Sequence, residues 1–580
     1  MLDRVIRGGT VIDGTGAPRR SADVGIRDGR IAAVGEIDEP AAAEIDARGR
    51  IVCPGFVDVH THYDAQIFWD PDVSPSSDHG VTSVFAGNCG FSVAPLTDTS
   101  GEYLMHMLAR VEGMPLESLA NGADWDWRSF REYLDRFEGR LAIHAGFMVG
   151  HSAIRRAVMG EAAVGEKADA SQLRAMEQLL DESLAAGGMG FSSTWSPTHN
   201  DAAGDPVPSR WADRDELIAL CRVVGRHPGT TLEFIPGVGV FDESERSLMT
   251  EMSLAAGRPL NWNVLVVQSF TEENWRAQLA ASDYAAERGA RVVALTPSQV
   301  MSLRLNFRSG FLLDAFPGWA EIIALPHEEK KKALADPAVR KRMDEGANSD
   351  EAGVLRAMAQ WSNMTVAETF VDAHAGLAGR NIGEIAAERG AAPFDCLLDL
   401  ALEEDLALSV MPFIPGDDDA SWEMRAEAWR DPRTIVGASD AGAHLDMINT
   451  FSYSTALLGA GVRERELLGL EEAVRELTDV PARLYGLRER GRIAEGWHAD
   501  LTVFDPNRVG HGDLYTRHDL PGGAGRLYAD ARGIDHVVVA GEPIIEGGER
   551  TSARPGRVIR SGRDTDTVAV PGARGAASDA

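Results

Sequence analysis

The sequence is poor in cysteine and in basic residues, and each shortage argues against certain classes of protein and partner. Only four cysteines occur in 580 residues, at positions 53, 89, 221 and 396. Cysteines this sparse argue against a disulfide framework and indicate a reducing compartment, so we expect a cytoplasmic protein. Lysine and arginine number 57 against 89 aspartates and glutamates, which gives a formal net charge of -32. That charge repels nucleic acid and anionic membranes, so we expect neither as a partner.

Long apolar runs are also missing. No stretch approaches the length needed to span a bilayer. The first residues lack the basic segment and the apolar core of a secretory signal. Hydrophobic residues make up 44% and charged residues 25% of the chain, as in ordinary globular proteins. We therefore expect a globular protein that acts on a small molecule, and an oligomer stays open.

Two patterns of secondary structure succeed each other along the chain. Residues 1–50 and the stretch from about 490 show short β-branched runs between Gly and Asp turns, which predicts strands. Between them, apolar runs alternate with helical patterns about eight times, which is typical of a parallel (β/α)8 barrel of the α/β class. The predicted barrel strands are 52–59, 81–85, 141–149, 188–193, 230–235, 261–267, 291–295 and 435–438.

These patterns divide the chain into segments. Residues 1–54 and 489–560 are predicted to form β-structure, and residues 55–488 the barrel. The stretch at about 306–376 fits the alternation poorly, so we interpret it as an insertion over the barrel mouth. Residues 561–580 are rich in Gly, Ala, Ser, Asp and Arg, with little to bury, and are predicted to form a loose tail.

An apolar run near the start of the chain ends in two histidines, His60 and His62, separated by one residue. Side chains two residues apart on a strand point to the same face, so the two imidazoles form a pair. Neutral imidazole is a good ligand for zinc and other first-row metals. The alternative is a pair of surface histidines. Chance seldom places such a pair at the end of a buried strand.

Two further residues could complete a metal site. Cys89 follows an apolar strand between Asn88 and Gly90, where a thiolate could bind one zinc ion or bridge two; the alternative is a buried, inert cysteine. Asp440 ends the run that should form the last barrel strand, where barrel enzymes place catalytic groups. A carboxylate there could bind a metal and move a proton, and the alternative is the N-cap of a helix.

The motifs at both chain ends together resemble the amidohydrolase superfamily. They are Pro54-Gly55-Phe56-Val57-Asp58-Val59-His60-Thr61-His62, Gly491-Arg492-Ile493 and Ala499-Asp500-Leu501. Within that superfamily, two internal motifs are similar to the N-acyl-D-amino-acid deacylase (D-aminoacylase) branch, namely Gly87-Asn88-Cys89-Gly90 and Val149-Gly150-His151-Ser152. The resemblance implies a (β/α)8 barrel with a small β-sandwich built from both chain ends, and metal-dependent hydrolysis of a C–N bond. It also implies that Cys89 is a metal ligand and that Asp440 is catalytic.

The sequence departs from this branch at two positions. Members of the branch carry one histidine on each of the fifth and sixth strands for a second metal, and neither strand contains histidine here. The strand register places Glu233 at the first of these positions and Asn263 near the second. Glutamate can still bind a metal, whereas an amide is a poor ligand for zinc. We therefore expect one tightly bound Zn²⁺, with Glu233 as a ligand or beside it, and a second metal is doubtful.

Other polar residues are candidates for substrate contacts. His151 matches the branch pattern after the third strand and is predicted to line the pocket, as is Asn263. His444, on the loop after the last strand, could contact substrate or stabilise an oxyanion, and the alternative is a solvated loop histidine. His144, on the third strand, is interpreted as a core histidine with its hydrogen bonds satisfied.

These interpretations converge on a metal-dependent hydrolase of an amide bond, with His60, His62, Cys89 and Asp440 as the metal site. An enzyme that opens a cyclic amide or imide by the same chemistry is the first alternative. A barrel that binds a metal or a ligand without turnover is the second. Assay of the purified protein against a panel of amides separates the enzymes from the binder.

Overall fold

Both ends of the chain contribute strands to one nine-stranded sheet. The structure, a computed structural model, describes residues 1–572 with the exception of Phe311 and of the side chain of Val354. The strands of this sheet are Leu2–Val11, Arg20–Arg27, Arg30–Gly35, Ala41–Asp46, Ile51–Pro54, Leu501–Phe504, Ile534–Val539, Glu542–Glu546 and Glu549–Arg550. Ile51–Pro54 pairs antiparallel with Leu501–Phe504, so the long segment between them leaves and re-enters the sheet at neighbouring strands.

The segment between these strands is built on parallel strands. They are Phe56–Asp58, Val81–Ala86, His144–Phe147, Val149–Gly150, Gly190–Thr194, Thr231–Ile235, Leu260–Trp262, Val292–Thr296 and Thr434–Val436. Every hydrogen-bonded pair among them is parallel, and each of the eight predicted strands overlaps one of them. Met148 alone separates His144–Phe147 from Val149–Gly150, so one extended segment belongs to both parallel sheets. Most of these strand residues are buried, as expected for parallel strands covered on both faces.

The residues that follow the first and the last of these strands also meet. Thr61 forms a parallel bridge with Ala441. The amide of His62 donates to the carbonyl of Ala441 at 2.8 Å, and the amide of Asp440 donates to the carbonyl of His60 at 3.1 Å. These contacts join the open edges of the two parallel sheets at their carboxyl ends. The two parallel sheets are therefore linked through the segments that follow the strands Phe56–Asp58 and Thr434–Val436.

Helices connect the parallel strands, and several begin at a residue whose side chain caps the helix. Asp169 accepts from the amides of Ser171 and Gln172 and starts one helix, and Asp242 caps another through the amide of Glu245. The α-helices are Ser100–Val111, Leu116–Gly122, Phe130–Asp135, His151–Met159, Ala170–Ala185, Arg214–Val224, Glu243–Ala256, Glu272–Ala286, Ala320–Ile323, His327–Ala335, Pro337–Ala347, Ile382–Arg389, Pro393–Glu403, Asp419–Arg430, Tyr453–Ala456, Leu470–Leu477 and Asp479–Leu484. Within the described residues, no helix combines the length and apolar character required to cross a membrane.

The segment between the last two parallel strands has its own apolar core and extends beyond the predicted insertion at 306–376. Its core residues lie between Leu305 and Val410, and Met447 and Ile448 from the loop after the last strand join them. The strands Thr365–Glu368 and Ser409–Met411 pair antiparallel within this segment. Phe394, on a helix outside the predicted bounds, has its ring centroid 4.8 Å from that of Trp361. The predicted end was therefore too early, because the later helices pack their apolar faces on the same aromatic cluster.

The chain near its C-terminus is packed, and the prediction of a loose tail is wrong for residues 561–572. Thr565 is fully buried, and its hydroxyl donates to the carbonyl of Gly229 at 2.7 Å. Just before it, Val558–Ile559 pairs in parallel with His144–Phe147 instead of joining the nine-stranded sheet. A composition with little apolar surface hid this segment, because backbone and threonine hydrogen bonds attach it. Residues 573–580 lie outside the described part of the chain.

Removing residues 558–580 should destabilise the protein, because it exposes the His144–Phe147 strand and removes buried Val558 and Ile559. Loss of two buried aliphatic side chains corresponds to about 3–6 kcal/mol of burial free energy. Thermal unfolding followed by circular dichroism should show a melting temperature lower by several degrees. Truncation after Gly572 leaves every described contact in place and is the control; equal melting temperatures for both truncations would contradict the role of this segment.

Candidate functional site

The two histidines predicted as metal ligands converge with Cys89 at the carboxyl end of the first parallel strand. His60 and His62 are buried, and their Nε2 atoms lie 3.5 and 3.7 Å from the sulfur of Cys89. The three donor atoms lie within 4.8 Å of one another, a spacing that one ion can bridge. Among the described residues, the other group with such a spacing, His327, Glu328 and Asp405, lies on the surface. The buried group is therefore the candidate metal site.

The loop that carries Cys89 has an unusual backbone that aims the sulfur at the histidines. Cys89 adopts a φ of 57° between Gly87 and Gly90, whose φ values are 80° and 79°. A left-handed conformation is costly for a residue with a Cβ, about 1 kcal/mol or more, and needs support from its surroundings. The amide of Cys89 donates to Oε2 of Glu233 at 2.8 Å, and that of Gly90 to Oγ of Ser192 at 3.1 Å. Side chains of neighbouring strands thus fix the position of the thiol.

Asp440 contacts both histidines from the loop that follows the last parallel strand. Its Oδ1 lies 3.2 Å from Nε2 of His62 and 3.5 Å from Nε2 of His60. Its Oδ2 lies 4.0 Å from Nε2 of His444, whose side chain is 20% exposed. Asp440 and His444 both have positive φ values, 53° and 47°, so this turn is also held in a costly conformation. One carboxylate oxygen therefore faces the donor group and the other faces the more open side.

The two residues predicted at the positions of the branch histidines, Glu233 and Asn263, lie beside the same group. Glu233 is fully buried; one carboxylate oxygen accepts from the amide of Cys89, and no hydrogen bond from the described residues reaches Oε1. Burial raises the pKa of Glu233 to about 8. Nδ2 of Asn263 lies 3.3 Å from Nε2 of His60. Glu233 thus has a spare oxygen at the site, whereas Asn263 presents an amide.

The electrostatics of the site favour a positive charge at its centre. Burial lowers the pKa of His60 to about 3, so its imidazole is neutral, which is the form that binds metals. Burial also acts to lower the pKa of His62, but Glu112 and Asp440 outweigh it and raise that pKa to about 10. Burial and then the charge of Glu233 raise the pKa of the Cys89 thiol. A divalent cation would stabilise the thiolate and these carboxylates, and two imidazoles with a thiolate and a carboxylate suit zinc.

Glu112 is a site residue that the sequence analysis missed. It is the C-cap of the helix Ser100–Val111, is buried, and places Oε1 3.3 Å from Nδ1 of His62. A carboxylate at the far nitrogen of an imidazole orients the ring and leaves Nε2 for a metal. Its backbone carbonyl accepts from the amide of His444. An acidic residue at a helix C-terminus opposes the helix dipole, and this was the only signal in the sequence.

Three other histidines differ in their hydrogen bonding and in their proximity to the site. Both ring nitrogens of His151 are engaged, Nδ1 with Oγ of Ser193 and Nε2 with Glu216, each at 2.8 Å, so neither is left for a substrate. His144 lies 3.1 Å from Asp500 and accepts from the amide of Arg557, which confirms a satisfied core histidine. His199 is closer to the site. Burial and then the charge of His444 lower its pKa, to about 3.

Comparison with known proteins places this geometry in context. A sequence model described as the amidohydrolase family matches residues 43–545. An N-acyl-D-glutamate deacylase of Alcaligenes xylosoxydans xylosoxydans is 30% identical, with 98% of each chain covered. A crystal structure of D-aminoacylase superposes with a TM-score of 0.64 at 28% identity, covering 97% of this chain and 100% of that one. The N-acyl-D-glutamate deacylase of Bordetella bronchiseptica, solved with zinc and a phosphonate inhibitor, gives 0.61 at 26% identity, covering 97% and 100%.

Replacing both His60 and His62 by alanine should remove most of the bound metal, because it deletes two of the three clustered donors. Elemental analysis of dialysed protein measures the effect. The matched control replaces His106 and His518, which are exposed, and should leave the metal content unchanged. Full metal content together with full activity in the His60/His62 variant would contradict the assignment.

Proposed function

Because the chain belongs to the amidohydrolase family, we propose that it hydrolyses the amide bond of an N-acyl amino acid with a bound metal ion. The observation that carries this proposal is the buried group of His60, His62 and Cys89 with Asp440 against it. The relatives support the substrate class, since two are named N-acyl-D-glutamate deacylase and the third D-aminoacylase. Hydrolysis of N-acyl-D-amino acids by the purified protein is the direct test.

Membership in the amidohydrolase family also supports a proposal for the architecture. We infer that the parallel strands close into one (β/α)8 barrel, supported by the bridge between Thr61 and Ala441. The nine-stranded sheet would belong to the small β-sandwich proposed for residues 1–54 and 489–560, beside a barrel of residues 55–488 that Val558–Ile559 joins instead. Four free, buried cysteines support the proposed cytoplasmic compartment.

Zinc is the proposed metal, held by His60, His62 and Cys89, with Asp440 as a further ligand. Glu233 would stand next to it, either as a ligand through Oε1 or as the group that positions Cys89. When bound, the ion would polarise the substrate carbonyl and lower the pKa of a water molecule toward neutrality. The structure of a relative with zinc supports this choice.

The protein residues have distinct proposed roles. Asp440 takes the proton of the attacking water at Oδ2 and delivers it to the leaving nitrogen, acting first as base and then as acid. Its Oδ1 stays against the histidines, and Glu112 holds the His62 ring in orientation. His444, on the open side of Asp440, and Asn263, beside His60, are the proposed substrate contacts. Burial of the group excludes bulk water, which strengthens these interactions.

Asp440→Asn should lower kcat by about 10²–10⁴-fold, the usual contribution of general acid–base catalysis, because an amide cannot take up the proton. Steady-state kinetics on an N-acyl-D-amino acid give the measurement, and circular dichroism checks the fold. Asp446→Asn, on the same loop, is the control, because Asp446 instead accepts hydrogen bonds from Asn306 and Ser309. A near-normal kcat in Asp440→Asn would rule out the role of proton shuttle.

The protein should retain one equivalent of metal after dialysis, since Asn263 is a poor ligand and Glu233 already binds the Cys89 amide. Elemental analysis of the wild type, Glu233→Gln and Glu233→Ala tests this. Glutamine keeps an acceptor for the Cys89 amide, so a positioning role predicts more metal and activity in the glutamine variant than in the alanine variant. Two equivalents in the wild type, one of them lost in both variants, would show that Glu233 builds a second metal site.

A further inference from the structure

A cavity of about 170 Å³ lies beyond the carboxyl ends of the parallel strands Leu260–Trp262 and Val292–Thr296. Its walls are mainly aliphatic and include Val266, Val300, Met301 and Ile414. A cavity of about 150 Å³ can hold a group the size of benzene. The one charged side chain among those lining it is Arg425, from the helix Asp419–Arg430. An apolar cavity with one buried cation fits a ligand that joins an anion to an apolar body.

The guanidinium of Arg425 is buried with incomplete hydrogen bonding. The residue is 4% exposed, and its Nη2 donates to the carbonyl of Gly416 at 2.6 Å. Within the described part of the chain, Nη1 is buried and meets no hydrogen-bond acceptor. Arginine is rarely buried unless paired, because leaving a charged donor unsatisfied carries a desolvation cost. This nitrogen is therefore available to an acidic ligand.

The polar groups around Arg425 have partners of their own. The nearby carboxylate of Asp417 accepts from Nε1 of Trp422, and that of Asp418 accepts from Ser421 at the helix N-cap. In the cavity wall, the amide groups of Gln268 and Gln299 donate to the backbone carbonyls of Pro415 and Asn449. These polar groups are thus paired with other side chains or with the backbone, which leaves Nη1 of Arg425 as the buried donor in excess.

The cavity lies close to the metal site. Asn263, whose Nδ2 is 3.3 Å from His60, precedes the wall residue Val266 by three positions. Three residues span at most about 11 Å even when fully extended. The wall of the cavity therefore begins within this distance of Asn263, on the segment that also contacts the metal site.

We propose that the cavity binds the carboxylate-bearing part of the substrate, with Arg425 pairing with the carboxylate and the aliphatic walls covering an adjacent apolar group. This inference rests on the proposed amide hydrolysis and adds the group that selects the substrate. It assigns Arg425 to substrate binding and gives it no role in proton transfer.

Steady-state kinetics on two substrates test the assignment. They are N-acetyl-leucine, as both enantiomers, and N-acetyl-isoamylamine, which keeps the acetyl amide and the branched chain but lacks the carboxylate. Arg425→Gln should raise KM for N-acetyl-leucine about ten-fold or more, as expected for a lost hydrogen bond to a charged group. kcat should stay near that of the wild type, since uniform binding is lost, and the isoamylamine substrate should be unaffected.

Two variants serve as comparison. Arg465→Gln removes a guanidinium that stacks on the same Trp422 ring but pairs with Asp417 and Asp419, and KM should not change. Val300→Phe fills the cavity and should raise KM as Arg425→Gln does, which keeps the test valid if the arginine variant folds poorly. An unchanged KM in both cavity variants, with turnover intact, would contradict the role of the cavity in substrate binding. The proposed amide hydrolysis would still stand.

Direct binding separates the two proposals if the wild type hydrolyses neither substrate. In that case the proposed function fails. Calorimetry with 4-methylpentanoate and with its neutral amide then tests whether the cavity binds a carboxylate. Loss of carboxylate binding in Arg425→Gln, with binding kept in Arg465→Gln, would support a carboxylate site. Equal carboxylate affinity in the wild type and in Arg425→Gln would contradict it.

Discussion

The site depends on the contact between the segments that follow the first and the last parallel strands. Backbone hydrogen bonds from His62 to Ala441 and from Asp440 to His60 fix these segments side by side. The side chains of Asp440, His60 and His62 belong to those same segments. The main-chain bonds therefore set the distances of 3.2 and 3.5 Å from Oδ1 of Asp440 to Nε2 of His62 and of His60. A third hydrogen bond joins the two segments, since the hydroxyl of Ser439 also donates to the carbonyl of His60. The same contacts thus join the sheets and assemble the site.

Charge balance is the second constraint on this region. Glu112, Glu233 and Asp440 surround the donor group, and burial raises the pKa of Glu112 and Glu233. Buried carboxylates are stable only when paired, hydrogen-bonded or bound to a metal. Each of the three already has one role in the protein, since Glu112 faces His62, Glu233 holds Cys89 and Asp440 contacts both histidines. The acidic residues therefore both build the site and prepare it for a cation.

Much of the fold and part of the site followed from local patterns. Alternating apolar runs located the eight parallel strands, because buried strands leave a direct trace in composition. The spacing of His60 and His62 predicted that they share a face, and they do meet at one sulfur. The extent of the insertion and the packing of residues 561–572 were missed, because they depend on contacts between distant segments. His151 had a matching motif, yet its nitrogens are taken by Ser193 and Glu216.

The sequence by itself determined the chemical identity of the donors and the strand ends that carry them, since both are local properties of the chain. Only the tertiary structure decided their partners. Glu112 reaches His62 from a helix end, and Arg425 enters an aliphatic cavity between two strand ends; neither position is marked in its own neighbourhood of sequence. The same holds for Glu233, whose bond to the Cys89 amide crosses strands. Such contacts arise because folding places residues far apart in the chain within a few ångströms, and spacing along the sequence carries no record of that distance.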